Sequence, residues 1–252
     1  MKYKRFIFIL LNVIIYSANA QNKIQTEDVD NLYWQPNVEI GYSHFQSESD
    51  ADCIKYNEEY GLKMSANIQL KGIVDIPKSH LSRKIKKRKG NDKVYLAPVF
   101  FKNCSCILSE DSVELIVYQL LFDTAEMYAR AARKELLETQ EQMNINNVNT
   151  MYYTTVKNKW DKIMRGTWAS ISQDVLIQKK DSSYTVWRTL VDELLELNKD
   201  FSTQPYEIER LMLGEPIEEG YLQAKSIIGD LKNNNENLKK LPTTPYKINV
   251  GF

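Results

Sequence analysis

After a hydrophobic start, apolar and polar residues alternate along much of the first hundred positions. Val38-Glu39-Ile40 and Met64-Ser65-Ala66-Asn67-Ile68-Gln69-Leu70 carry the two-residue period of half-buried strands. Val74-Asp75-Ile76 continues that period until Pro77, which has no amide hydrogen to give to a ladder. Lys93 to Phe101 reads as another strand, and Pro98 within it predicts a sheet edge or a bulge. Residues 33–76 are therefore read as β-rich.

The pattern then changes. From Ser109 to about Gln142 there is neither Pro nor Gly, and Ser109-Glu110-Asp111 offers a capping residue and acids for the positive end of a helix dipole. Val113, Leu115, Ile116, Val117, Leu120, Leu121 and Phe122 surround the first turns, so this part is expected to be buried on several sides. A second helix fits 151–178, with Trp160, Ile163, Met164, Trp168, Ile171 and Val175 at steps of three and four. A third fits 184–199, striped by Trp187, Leu190, Val191, Leu194 and Leu197. Beyond it Pro205, Pro216, Pro242 and Pro245 interrupt the chain, and one short helix is expected near 218–231. Strands first and helices later predict an α+β fold: a small antiparallel sheet from the N-terminal half packed against three long helices from the C-terminal half.

Lys2, Lys4 and Arg5 precede an apolar run from Phe6 to Tyr16, and Ser17-Ala18-Asn19-Ala20 supplies an Ala-x-Ala site. This is the pattern of a secretory signal peptide cleaved before Gln21. The run is shorter than the roughly 20 residues that span a bilayer. The expected organisation is a signal peptide at 1–20, an α+β domain at 21–200 and a partly irregular C-terminal extension at 201–252. The mature protein is expected to be exported, periplasmic or extracellular, with no transmembrane segment after cleavage.

The 252 residues balance 33 Lys+Arg against 33 Asp+Glu, which gives no nucleic-acid footprint. Two histidines, His44 and His80, leave little for any mechanism that needs several imidazoles. No Gly-x-Ser-x-Gly, Walker-type loop or dinucleotide fingerprint is present. Export permits disulfides, and Cys53, Cys104 and Cys106 allow at most one internal bridge, from Cys53 to either Cys104 or Cys106. Lys78, Arg83, Lys84, Lys86, Lys87, Arg88 and Lys89 concentrate cations in the connector 78–92. Such a run is either a solvated hairpin loop or a contact for an anionic surface or an acidic envelope protein.

Two stretches point to a family. Ala97-Pro98-Val99-Phe100-Phe101-Lys102-Asn103-Cys104-Ser105-Cys106 is followed by Val117-Tyr118-Gln119-Leu120-Leu121-Phe122-Asp123-Thr124-Ala125-Glu126-Met127-Tyr128-Ala129-Arg130. Together they resemble a family of secreted bacterial zinc-protease-like proteins of largely uncharacterised function, in which a strand precedes a helix of the form His-Glu-Gln-x-His-Phe-Asp-Ile-x-Glu-x-Tyr-Ala-Arg. Gln119, Phe122, Asp123, Glu126, Tyr128, Ala129 and Arg130 match that pattern. Leu32-Tyr33-Trp34-Gln35-Pro36 and Gly41-Tyr42-Ser43-His44-Phe45 resemble the family's opening strand more loosely, and Trp187 with Leu194 and Leu197 its last helix. The resemblance spans about 30–200.

The chemistry that the resemblance implies is missing. Val117 and Leu121 stand at the two imidazole positions and Tyr118 at the carboxylate position. Two histidines four apart share a helix face and can meet one zinc, and the adjacent Glu then serves as base for its water. Val and Leu offer no electron pair, and a phenol with pKa about 10 does not replace a carboxylate base. Glu126 remains as a candidate remnant of a third ligand. The expectation is an exported, non-catalytic binding or envelope protein with no metal and no cofactor. The alternatives are a hydrolase built on another constellation around Glu126, with Asp123 or His44, and an unrelated structural envelope factor.

Overall fold

Lys93–Phe101 is the strand that organises the molecule, here seen in a computed structural model that describes residues 25–82, 84, 89–143 and 148–224. The signal segment expected at 1–20 and the tail from 225 lie outside those residues. In chain order the strands are β1 (Asn31–Tyr33), β2 (Met64–Ser65), β3 (Ile68–Pro77), β4 (Lys93–Phe101), β5 (Cys106–Ile107) and β6 (Tyr221–Gln223). The helices are α1 (Ala51–Tyr60), α2 (Ser112–Met143), α3 (Val148–Ser172), α4 (Ser183–Leu197) and α5 (Pro205–Leu213). The main sheet is antiparallel in the order β1-β4-β3-β6, and β2 pairs with β5 in a separate two-stranded ribbon.

The strand alternation sorts side chains to two faces. Leu32, Ile68, Leu70, Val74, Leu96 and Phe100 point to the large core under α2, α3 and α4. Tyr33, Ile73, Ala97 and Val99 point the other way, where Ile208 and Leu211 of α5 cover them. Both faces of β3 and β4 are thereby buried, and each fully buried aliphatic side chain contributes about 1.5–3 kcal/mol. The α+β class is as expected, with α5 added behind the sheet.

The long helices are ordered by named contacts. Leu121, Tyr128 and Glu135 of α2 meet Trp168, Thr167 and Trp160 of α3, so the two run antiparallel. Asp123 and Arg130 meet Arg188 and the Leu195 carbonyl of α4, which therefore runs parallel to α2. Helix α2 begins three residues later than Ser109 because the Asp111 carboxylate accepts the amides of Val113 and Glu114, at 3.0 and 3.1 Å, and so acts as the cap. Helix α3 closes in a π-helical stretch, Gln173–Ile177.

Several expectations are corrected. Val38–Ile40 is not a strand: the Gln119 side-chain amide accepts from the Ile40 amide at 2.8 Å and donates to the Val38 carbonyl at 3.4 Å, standing in for a neighbouring strand. Residues 51–60 are a helix within the region read as β-rich, and its one buried residue is Cys53. Near 218–231 the described part is the strand β6 rather than a helix, paired along Asp75–Pro77. Within 201–224, read as an extension, α5 packs Ile208 and Leu211 behind the sheet, and Ala224, just past β6, joins the large core. Ile163, Leu190 and Leu197 face solvent, so the buried stripes of α3 and α4 are narrower than expected. Pro98 lies in a strand with neighbours on both sides, but β1 pairs only with Val99–Phe101. The Pro98 carbonyl accepts from Trp34 at 3.1 Å on that side, so its nitrogen also turns to where β1 has ended, where no ladder bond is required.

Candidate functional site

Gln119, Asp123, Glu126, Arg130 and Arg133 recur at steps of four and three along α2 and share one face. That face meets the 34–40 segment, the end of α4 and the 199–207 segment. Asp123 accepts from Trp34 Nε1 at 2.8 Å, from Gln119 Nε2 at 3.1 Å and from Arg188 Nη1 at 2.6 Å. The Arg130 guanidinium lies 5.3 Å from the Trp34 ring centre, donates Nε to Glu126 at 2.9 Å and reaches the Leu195 carbonyl.

Glu126 is fully buried, and its carboxylate is enclosed. Its Oε1 accepts from Arg130 Nε and, at 2.8 Å, from the Thr203 amide, and its Oε2 accepts from the Thr203 hydroxyl at 2.6 Å. Arg133 Nη1 stands 3.7 Å from Oε1. Arg133 also reaches the Phe201 carbonyl at 2.6 Å, the Leu96 carbonyl and the Thr203 hydroxyl, and its Nε lies 3.3 Å from Glu207. Glu207 accepts in addition from the Leu96 amide at 3.3 Å and from the Gln204 amide at 2.8 Å, where it caps α5. Burial pushes the Glu207 carboxyl up from its ordinary range, while Arg133 and the two amides oppose the shift. Two carboxylates and two guanidiniums thus tie α2, β4, α4 and α5 together with every named oxygen in use.

A groove of about 230 Å3 opens beside this network, with Val94, Leu136, Leu137, Phe201 and Tyr206 among its walls and Arg133 and Glu207 along it. Arg133 and Glu207 are already engaged in the network, while Gln140, Asp200, Ser202 and Gln204 also line the groove.

The zinc implied by the family resemblance does not fit the residues present. Val117 is fully buried and Leu121 nearly so, both within the large core. Tyr118 is buried too, and its hydroxyl donates to the Met64 carbonyl at 2.5 Å, fastening α2 to β2. Glu126 follows Val117 by nine residues, about two and a half turns at 3.6 residues per turn, and so faces the opposite side of the helix. Among the described residues no group of three or more His, Cys, Asp and Glu side chains is placed to hold a metal ion. His44 does not join Glu126: its Nδ1 accepts from the Gly41 amide at 2.8 Å, its ring meets Phe100 edge-on, and its Nε2 lies 3.8 Å from Glu27. Asp123 and Glu126 are held by different partners.

Of the cationic connector, Arg83, Lys86, Lys87 and Arg88 lie outside the described residues. The described base is stapled: Ser79 Oγ donates to the Lys89 carbonyl at 2.8 Å and accepts from its amide at 3.0 Å, while the Lys84 amide turns back to Ser82 Oγ at 3.3 Å. His80 bridges the Gly90 carbonyl, at 3.0 Å, and the Asp92 carboxylate, at 3.3 Å. Cys53 is bonded to Cys106, tying α1 to the β2–β5 ribbon, and Cys104 is a half-exposed free thiol.

Arg133, Thr203 and Glu207 were not marked by sequence reasoning. Gln204-Pro205-Tyr206-Glu207 is a helix-start pattern, with Pro at the first position and Glu at the third, and it could have located α5. Nothing in the sequence singles out Arg133 among the charges of α2. No described helix is long and apolar enough to cross a membrane. No family model, no curated protein and no solved structure matches this chain.

Proposed function

We propose that this chain is an exported, non-catalytic binding protein on a zinc-protease-like scaffold whose metal position has been filled by core side chains. The observation that carries the reading is the closed environment of Glu126: both of its oxygens are occupied by Arg130 and Thr203 in a fully buried setting. A carboxylate held in this way has no open site at which to bind a metal or to take a proton from water. Four of the family positions that the chain keeps, Gln119, Asp123, Glu126 and Arg130, carry hydrogen bonds within α2 and from it to neighbouring segments. The positions that it lacks are those that would grip zinc. Export is supported by the signal-peptide pattern of residues 1–20, and the Cys53–Cys106 bridge suits an oxidising compartment.

On this reading the protein acts by contact, and the sequence's strongest candidate for that contact is the cationic segment 83–89 between β3 and β4. An anionic lipid or glycan surface matches its chemistry. Metal analysis of the purified protein and a chelator-sensitive assay on an unfolded protein substrate test the non-catalytic reading. Neither stoichiometric zinc nor hydrolysis is expected. One equivalent of zinc together with hydrolysis abolished by Glu126→Ala would overturn it. Neutralising Arg83, Lys86, Lys87 and Arg88 is expected to weaken binding to anionic vesicles or polyanionic glycans, and unchanged binding rejects the hairpin as the contact.

A further inference from the structure

The edge of β4 that faces β1 is only partly covered. Strand β1 pairs with Val99–Phe101, and Trp34 closes that ladder by donating to the Pro98 carbonyl at 3.1 Å. Two residues further along the edge, Leu96 meets side chains in place of a strand: Glu207 accepts from its amide at 3.3 Å, and Arg133 donates to its carbonyl. Main-chain groups turn to the same edge at every second residue, so the next pair on this edge belongs to Val94. The far side of β3 gives the same direction. Val74, which stands across from Val94, gives its carbonyl to the Ala224 amide at 2.9 Å on the β6 side. Val74 and Val94 therefore exchange no ladder bonds, and the Val94 groups turn away from β3. Among the described residues neither the Val94 amide nor its carbonyl has a hydrogen-bond partner.

Val94 is also a wall of the groove of about 230 Å3, so the open stretch of sheet edge and the cavity coincide. Leu136 and the exposed Leu137 of α2 bound the groove, together with Phe201 and the exposed Tyr206 at the start of α5. Its volume falls below the roughly 300–1,000 Å3 of sites that enclose a drug-sized ligand, and suits a side chain rather than a whole cofactor. Asp200 gives the wall a negative charge that forms no ion pair among the described residues, since the adjacent Lys199 is paired with Glu196. An unpaired main-chain edge, an apolar slot and one uncompensated carboxylate thus lie together.

We infer that this groove binds an extended peptide segment of another protein, added to β4 as an edge strand, with a large apolar residue opposite Val94 and a lysine or arginine beside it. The apolar residue exchanges both of its main-chain hydrogen bonds with Val94, on the line that β1 leaves at Pro98. Residues directly opposite in a ladder share a face of the sheet. The Val94 side chain packs on the large core under α2, so the bound side chain enters against Leu136 and Leu137. The basic neighbour brings the charge that complements Asp200. Main-chain pairing supplies affinity, and the slot supplies selectivity. This contact is separate from the cationic segment 83–89 and does not depend on it.

The test titrates the unmodified, disulfide-bonded protein into the fluorescein-labelled peptide Gly-Thr-Lys-Leu-Lys-Thr-Gly and reads fluorescence anisotropy. Saturable binding is expected, and it should be lost when both peptide lysines are replaced by glutamates. Methylating the main-chain nitrogen of the peptide leucine removes its donor to Val94 and should weaken binding about two- to tenfold. Asp200→Asn should weaken it about two- to fivefold, more at low salt than at high. The peptide is cationic and is not drawn to the segment 83–89, so failure here leaves that proposed contact untouched. Replacing the exposed Leu137 by photoreactive benzoylphenylalanine identifies the occupant, and an adduct with the peptide is expected. An adduct with residues 225–252 of the same chain or with a second copy overturns the inference, as does the absence of saturable binding or an affinity unchanged by the methylated peptide or by Asp200→Asn.

Discussion

Thr203 gives both its backbone amide and its hydroxyl to the two oxygens of Glu126, at 2.8 and 2.6 Å, across a separation of 77 residues. The two residues join the centre of α2 to the segment that enters α5, so the helix covering the far side of the sheet is fastened through this carboxylate. A group used in this way is part of the fold's framework.

Thr203→Val keeps the shape and removes the hydroxyl. Glu126 Oε2 then loses its donor in a fully buried setting, a loss of about 1–3 kcal/mol. Urea unfolding is expected to show a lower midpoint with an unchanged slope, since the surface exposed on unfolding is the same.

Gly72 is required by a neighbour rather than by its backbone angles. A Cβ at this position would lie 2.1 Å from the Tyr153 hydroxyl oxygen and 2.9 Å from Leu96 Cδ1. Gly72→Ala is expected to cost about 1–3 kcal/mol through forced repacking. The buried Tyr153 hydroxyl has no hydrogen-bond partner among the described residues, so Tyr153→Phe alone should be neutral or stabilising. In the double variant the losses should not add, and part of the Gly72→Ala cost should be recovered.

Glu207 gives stability a pH dependence. Its folded-state pKa is raised, so between its ordinary value and that raised value the folded protein holds more protons than the unfolded chain. The contribution of this group is fully present below the ordinary carboxylate range and is lost as pH rises through the folded pKa. Measured as the stability of the unmodified protein minus that of Glu207→Gln, the difference should fall as pH is raised from about 4.5. A difference that grows over that range would contradict the assignment.

Cys104 should be the one thiol of the native fold that titrates. Burial first, then the charges of Asp30 and Asp52, push its pKa up, which keeps it as a slow-reacting thiol at neutral pH. Alkylation by iodoacetamide is expected to accelerate through and beyond about pH 8.5, the ordinary range of a free cysteine. A rate that has already levelled off at neutral pH contradicts this. Replacing both Cys53 and Cys106 by Ser should cost about 2–4 kcal/mol by releasing α1 from the ribbon.

The long helices were legible because each buries a stripe of large side chains over many turns, so single misplaced residues such as Leu190 and Leu197 do not erase the period. Lys93–Phe101 was legible because a buried central strand is nearly continuous in apolar residues. Helix α1 was hidden for the opposite reason. It buries only Cys53, and a disulfide holds it where an apolar stripe normally would. Val38–Ile40 has a strand's alternation but pairs with a side chain, and side-chain amides leave no periodic trace. The site was half visible. The spacing of Gln119, Asp123, Glu126 and Arg130 places them on one helix face, but their partners Trp34, Thr203 and Arg188 lie 89, 77 and 65 positions from the residues they bind. The fully buried Asp75–Arg210 pair, with two bonds of 2.7 Å between residues 135 apart, was invisible for the same reason.

The most direct measurement is the equilibrium stability of Glu126→Gln by chemical unfolding. If Glu126 is a structural clamp, the variant leaves Arg130 with an uncompensated charge in the core and loses about 3–5 kcal/mol. A variant that stays within about 0.5 kcal/mol of the unmodified protein, as an ordinary surface substitution does, would contradict the account and return Glu126 to the list of reactive groups.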